Sequence, residues 1–164
     1  MALTLEGKTL LGRAWEHASH IFGQANVIIA THVGDDAILS ILPKAARHFM
    51  AFTPAEDVLG RFWQCVDAHN AFDRLIVRWT PDDWRKNDWR IRQAVRGSLS
   101  AAVAESVEVF TGAQLDRMHW ETPWHQREHI GLLLPVRPEP VDDGLPWSID
   151  TILDHTRAVA EVGA

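Results

Sequence analysis

Thr-Pro pairs at positions 53–54, 80–81 and 122–123 divide the sequence, and each precedes a stretch that fits the start of a helix. In the first pair, threonine is a preferred N-cap, proline suits the first helical position, and Glu56 completes a capping box. The second pair is followed by two aspartates, which suit the positive end of a helix dipole. The three pairs therefore predict three helix starts.

Apolar residues at helical spacing continue downstream of the first two pairs, to about residue 77 and about residue 109. A similar stripe predicts a first helix at roughly 9–32, and Asp35 or Asp36 is expected to cap a second one in AILSILPKAARHFMAF. These segments predict an all-α fold, an antiparallel four-helix bundle with extra short C-terminal helices. The alternative is an α+β fold, because NVIIATHV and RLIVRW also fit short strands.

The length of 164 residues fits one domain, which we expect to span 1–164. Hydrophobic residues make up 46% and charged residues 23%, as is usual for soluble globular proteins. Four prolines in PVRPEPVDDGLP predict an extended loop at 135–146, and Ser148 is expected to cap a final helix at roughly 149–161.

Charge and hydropathy limit the kinds of partner that this protein is expected to bind. The net charge is −6 without a basic stripe, which argues against nucleic-acid binding. No apolar run is long enough for a transmembrane helix, and the N-terminus lacks the pattern of a signal peptide. The single cysteine, Cys65, has no partner for an internal disulfide and is expected to be inert packing. We therefore expect a cytoplasmic protein with a small-molecule ligand and no membrane partner, and a homodimer is one option.

His125 and His129 stand four residues apart in TPWHQREHIGLLLP. On a helix, side chains at this spacing share a face and lie about 5–6 Å apart, so two imidazoles can hold one metal ion. The helix dipole in the first turn favours the neutral imidazole that a metal requires. Glu128, between them, fits a base, an outer hydrogen-bond acceptor or a solvent-facing residue. Because the chain has nine histidines, a chance pair is the alternative.

The string His-Gln-Arg-Glu-His also fits the H-x-x-E-H pattern of inverzincin proteases. Those enzymes take a third ligand from well downstream, and only 35 residues follow here. We reject that interpretation.

The pair followed by Gly131 and a hydrophobic tail resembles the last core helix of the DinB/YfiT-like bundles. That resemblance implies a divalent metal, zinc or nickel, bound by His125, His129 and a third histidine from an earlier helix. His48 has the required chain order. His155 is the alternative, because residues 147–155 are similar to the Trp-Ser/Thr-x-x-x-x-Leu-x-His segment of the family, although they follow the pair.

The resemblance implies a metal-dependent small-molecule enzyme, such as a thiol-dependent transferase or isomerase. A thiol or water bound to the metal would lose its proton near neutral pH and attack an electrophile. Zinc is favoured by histidine ligands, with nickel or iron as options, and a low-molecular-weight thiol would be the co-substrate. The alternative is a non-catalytic helical binding, stress or immunity-type module that recognises a ligand through tryptophans. The sequence leaves open whether the protein is an enzyme.

Overall fold

Strands and helices alternate along the chain in the computed structural model. The structure describes residues 4–5, 7–81, 91–92, 95–96, 101–104 and 107–127. The strands are β1 (Thr4–Leu5), β2 (Lys8–Thr9), β3 (Ile28–His32), β4 (Arg47–Ala51), β5 (Leu75–Trp79), β6 (Ala101–Ala104) and β7 (Val107–Thr111). The helices with described bounds are α1 (Leu10–Phe22), α2 (Asp36–Leu39), α3 (Val58–Ala68) and α4 (Gly112–Glu121), and 3-10 turns cover Gln24–Asn26 and Trp124–Gln126.

Helix α1 begins where the sequence predicts the first helix but ends earlier. The Thr9 hydroxyl accepts a hydrogen bond from the Gly12 N–H at 3.0 Å and caps its first turn. Gly23, with a φ of 85°, follows its last residue and turns the chain, a conformation that favours glycine. The β-branched residues beyond it form β3. The predicted helix at 9–32 is therefore right at its start and wrong after Phe22.

Two larger sheets form the centre of the described fold. Strand β3 pairs with β4 in parallel, with Ile29 opposite His48. Strand β7 lies between β5 and β6 and is antiparallel to both. The helical connection from β3 through α2 to β4 is the kind that a parallel pair requires.

Helices cover both faces of the β5–β7–β6 sheet. On one face, Val107 and Val109 of β7 pack with Ile91 and with Ile21 and Phe22 of α1. On the other face, Phe110 of β7 packs with Leu59 and Val66 of α3 and with Leu115 of α4. Since successive strand residues point to opposite faces, the sheet lies between α1 on one side and α3 with α4 on the other.

The prediction of an all-α bundle is wrong, because the two predicted helices that extended to about residues 32 and 77 end in strands β3 and β5. The predicted helix that ran to about residue 109 also gives way to strands, β6 and β7. The runs NVIIATHV and RLIVRW, which favoured the α+β alternative, do contain strands. Parallel pairing across a helical connection, with helices on both sheet faces, makes the fold α/β.

The structure contradicts one predicted helix cap and contains another. Helix α3 begins at Val58 and is capped by Asp57, whose carboxylate accepts from the Gly60 N–H at 2.9 Å, so the prediction of a cap at Thr53 is wrong. Asp35 does occupy the N-cap position of α2. The pair at 122–123 follows the end of α4 and leads into a 3-10 turn. Residues 82–90, after the pair at 80–81, lie outside the described residues.

Other predictions concern parts of the chain beyond those described. The proline-rich loop at 135–146 and the final helix at 149–161 lie there, so they stay predictions together with the single domain. Among the helices that the structure describes, none is long and apolar enough to cross a membrane.

Candidate functional site

A cleft of about 1050 Å³ lies between helices α1 and α3 and strands β3 and β5. Its middle is lined by aliphatic and aromatic side chains of these four elements. Five charged side chains also line it: Asp35, Arg47, Arg61, Asp73 and Arg74. A concave, largely apolar cavity of this size with a few polar groups is typical of a small-molecule site.

The polar groups at one end of the cleft lie where strands end. Asp35 follows β3, Thr80 follows β5, and Arg61 lies in the first turn of α3, which the chain enters after β4. In open α/β sheets, ligands bind outside the carboxyl ends of the strands. We therefore take this end of the cleft, the carboxyl end, as the candidate functional site.

Arg61 is the central cation of the carboxyl end. Burial lowers the pKa of its guanidinium, and the Arg78 cation lowers it further. The carboxylates of Asp35 and Asp57 raise this pKa and so offset part of the shift. These interactions place Arg61 close to Asp35, which follows β3, and to Arg78, the last residue but one of β5. One of its terminal nitrogens donates to the Ala55 carbonyl at 2.8 Å.

Three buried polar atoms of residues that follow β4 or belong to α3 and β5 have no hydrogen-bond partner within the described part of the chain, and of these residues Arg61 lines the cleft. They are the Thr53 hydroxyl oxygen, the Arg61 Nε and the Arg78 Nε. Arg78 is otherwise held by the buried Glu108, with both carboxylate oxygens 2.7 Å from one guanidinium nitrogen. Buried polar groups are almost always paired in folded proteins, so the unpaired Nε of Arg61 in the cleft wall is consistent with a polar ligand.

Asp57 joins this end of the cleft to the last described turn. One carboxylate oxygen caps α3, and the other lies 3.5 Å from a guanidinium nitrogen of Arg127. Arg127 also donates to the carbonyls of His119 and Thr122, while its own carbonyl accepts from the Leu59 N–H. The segment after α4 is thereby attached to the start of α3.

An aromatic cluster lies between α3 and α4. Trp63 stacks on His119 with ring centroids 4.4 Å apart, and Trp120 contacts both rings edge-on. The indole N–H groups of Trp63 and Trp120 both donate to Asp116. Burial lowers the pKa of His119, and the Arg127 cation lowers it further, so the ring is neutral at neutral pH.

Of the four predicted metal ligands, His48 and His125 lie among the described residues. His48 lies on β4, and its Nε2 is 2.7 Å from the Thr31 hydroxyl of β3. His125 is exposed on the 3-10 turn after α4, where its Nε2 is 3.4 Å from the Gln126 amide nitrogen. His129 and His155 lie outside the described residues, so the metal site stays a prediction. Among the described side chains, no group of three or more histidines, cysteines or carboxylates is arranged to hold a metal ion.

Cys65 lies in the wall of the cleft on α3. Burial raises the pKa of its thiol to about 11, and the Arg47 cation opposes this only in part. The thiol is therefore protonated at neutral pH, which fits the expected inert packing.

Two features next to the site, the helix cap at Asp57 and its contact with Arg127, were not predicted from the sequence. Asp57 stands directly before the apolar run VLGRF and is a better-placed cap than Thr53, a signal that was available. Arg127 is 70 residues from Asp57, and no local pattern connects them.

The fold has counterparts among solved structures, although no family model and no curated protein matches the sequence. A cytidylyltransferase from Leptospira borgpetersenii matches with a TM-score of 0.74 and 23% identity, over 94% of this chain and 75% of that one. The chain shares its fold with that enzyme.

Two further matches cover nearly all of the chain. The 4-diphosphocytidyl-2C-methyl-D-erythritol synthase from Anaerococcus prevotii has a TM-score of 0.63 and 11% identity, over 98% of this chain and 88% of that one. The protein Rv0371c from Mycobacterium tuberculosis, in a structure with manganese, has a TM-score of 0.57 and 19% identity, over 97% and 90%.

These matches overturn the resemblance to the DinB/YfiT-like bundles, because an α/β fold shared with cytidylyltransferases is not a helical bundle. The function that the resemblance implied, a metal-dependent thiol transferase or isomerase, is wrong for the same reason. The alternative of a non-catalytic helical module is not favoured either. In the described part of the matching segment, Trp124–Gln126 form a 3-10 turn after α4.

Proposed function

We propose that this protein is a nucleotidyltransferase that binds CTP at the carboxyl end of the cleft and transfers its cytidylyl group to a small-molecule acceptor. The observation that carries the proposal is the match to the Leptospira cytidylyltransferase over 94% of this chain. Because one fold hosts many functions, the match needs support from the site itself. Arg61, with its Nε at the carboxyl end unpaired within the described part of the chain, supplies that support.

In this reaction, an acceptor oxygen attacks the α-phosphorus of CTP. A new P–O bond forms, the bond to the β-phosphate breaks, pyrophosphate leaves, and the acceptor proton passes to water or a base. Such reactions are accelerated by cations placed where negative charge develops on the phosphates. Arg61 is the residue we assign to this role, since its buried Nε is unpaired among the described residues.

Phe52 follows β4 at the same end and is 82% exposed. Its backbone N–H is held by the Gln64 side chain at 2.8 Å. An exposed aromatic ring is suited to stacking on a nucleobase, which is worth about 1–3 kcal/mol per base. We assign Phe52 to contact with the cytosine ring.

A divalent metal is part of the proposal, as manganese is present in one structure of the M. tuberculosis neighbour. Ions of the Mg²⁺ kind bind through one or two carboxylates together with substrate phosphates, and Asp35 is a carboxylate at the right end of the cleft. The ion would neutralise phosphate charge. Oxygen ligands favour Mg²⁺ or Mn²⁺ over the zinc expected from histidine ligands.

The test is equilibrium binding of CTP in the presence of Mn²⁺ by isothermal titration calorimetry. Wild-type protein should bind CTP at least tenfold more tightly than ATP, and removing the metal should weaken binding. Arg61→Gln should weaken CTP binding about ten- to a hundredfold, because a charge-assisted hydrogen bond is worth about 1.5–3 kcal/mol.

Arg74→Gln is the matched control, because Arg74 lines the same cleft but precedes β5. It should leave the dissociation constant for CTP within twofold of wild type. Absence of CTP binding at millimolar concentration, or an equal loss in both variants, would contradict the proposal.

A further inference from the structure

The cleft borders the hydrogen-bonding edges of two strands. Consecutive residues at 27–31, which include most of β3, line it, and so do consecutive residues 75–77 of β5. Successive side chains of a strand point to opposite faces, so a cavity against one face would be lined by every second residue. Among the described strands, β3 pairs with β4 alone and β5 with β7 alone, so each has an edge that faces the cleft.

Helices close the cleft above and below these edges. Helix α1 packs on one face of the β5–β7–β6 sheet and α3 packs on the other. The residues that they contribute to the cleft are mostly apolar, among them Ala14, Trp15 and Phe22 from α1 and Phe62 and Cys65 from α3. The cleft is therefore a slot with two strand edges as sides and two apolar helix surfaces as roof and floor.

We propose that this slot binds an extended strand of a separate polypeptide, about five to seven residues long and apolar on both faces. Its backbone would pair with β3 on one side and β5 on the other, which joins the two sheets into one. Free strand edges bind extended peptides in this way, and strands covered by helices on both faces are apolar throughout. The length follows from the five residues of β3, at about 3.3 Å per residue.

A second copy of this chain is a poor source for the strand. The edges of β3 and β5 that have no partner among the described strands line a cleft whose other walls are α1 and α3, so two folded copies would have to displace these helices to pair through the edges. Additional polypeptide is compatible with the fold, since a quarter of the Leptospira chain has no counterpart here. The slot is distinct from the proposed nucleotide site, because its apolar middle holds the strand and its carboxyl end stays open.

The test uses a synthetic eight-residue peptide of alternating valine and isoleucine between terminal lysines. The readout is the labelling rate of Cys65 by a maleimide at pH 9, since this thiol lies in the wall of the slot. Saturating peptide should slow the labelling at least tenfold. The matched peptide with a central proline lacks a backbone donor and should have no effect.

A variant separates slot binding from surface binding. Ala14→Trp fills the slot from α1 and should weaken peptide binding at least tenfold, whereas Ala113→Trp on the exposed side of α4 should leave it unchanged. Equal effects of both peptides, no protection at millimolar peptide, or protection that appears with a dimer in light scattering would each overturn the proposal. CTP binding is measured separately, so either proposal can fail without the other.

Discussion

Asp57 uses its two carboxylate oxygens for two different contacts, one with the Gly60 N–H and one with Arg127. Asp57→Ala removes a helix cap, worth about 1 kcal/mol, and leaves a mostly buried guanidinium without its carboxylate. Breaking a buried ion pair from one side costs about 3–5 kcal/mol. We expect the two losses together to lower the free energy of unfolding in urea by about 4–6 kcal/mol.

Two further variants separate the contribution of the helix cap from that of the ion pair. Thr9→Ala removes only a cap, from α1, and should cost about 1 kcal/mol. Asp57→Asn keeps a cap oxygen but loses the charge, so it should fall between the two. If Asp57→Ala costs no more than Thr9→Ala, the contact with Arg127 does not stabilise the fold.

Thr53 illustrates how a plausible local signal fails. The sequence predicts that Thr53→Ala removes a cap at a cost of about 1 kcal/mol. In the structure its hydroxyl is buried without a partner among the described residues, so Thr53→Val, which keeps the shape, should leave the unfolding midpoint unchanged or raise it slightly. If Thr53→Val instead lowered the free energy of unfolding by about 1 kcal/mol, the result would support a helix cap at Thr53.

The Cys65 thiol provides a pH test of burial. Because its pKa is raised to about 11, native labelling should rise about tenfold per pH unit from pH 7 to 10, while the unfolded chain levels off near its ordinary pKa of about 8.5. A raised pKa means that its contribution to stability is complete below about pH 8.5 and is lost as the pH rises through 11. Rapid native labelling at pH 7 would indicate an exposed thiolate.

At the scale of elements, the start of the short helix α4 could have been predicted from the sequence. Thr111 and Gln114 form a reciprocal capping box, the pattern that the sequence predicts at Thr53 and Glu56. We expect Thr111→Ala to cost about 1 kcal/mol in urea unfolding and Thr111→Ser to restore most of it. Equal stability of all three proteins would show that the box contributes nothing.

Helical periodicity misled where a helix is followed by a short strand. Apolar residues of α1 and β3 continue one stripe in the sequence, as do those of α3 and β5, although turns separate the elements. A run of four to eight apolar residues cannot be assigned to a helix or a strand from its period alone. Gly23 and the β-branched composition of IIATH and LIVRW were the signals that favoured strands.

At the scale of the molecule, the candidate site is assembled from distant segments. Asp35, Arg61 and Arg78 interact because β3, α3 and β5 end or begin at one edge of the fold. That arrangement depends on strand order and direction, which the sequence of one chain does not reveal. The start of α1 and the cap position of α2 could be predicted locally, whereas the site required the fold.

The measurement that tests the central claim most directly is amide hydrogen exchange with and without CTP and Mn²⁺. Binding at the carboxyl end should slow exchange at residues 33–36 and 52–61 while residues 69–74, at the other end of the cleft, exchange as before. A footprint confined to residues 69–74, or no change at saturating CTP, would contradict a nucleotide site at the carboxyl end.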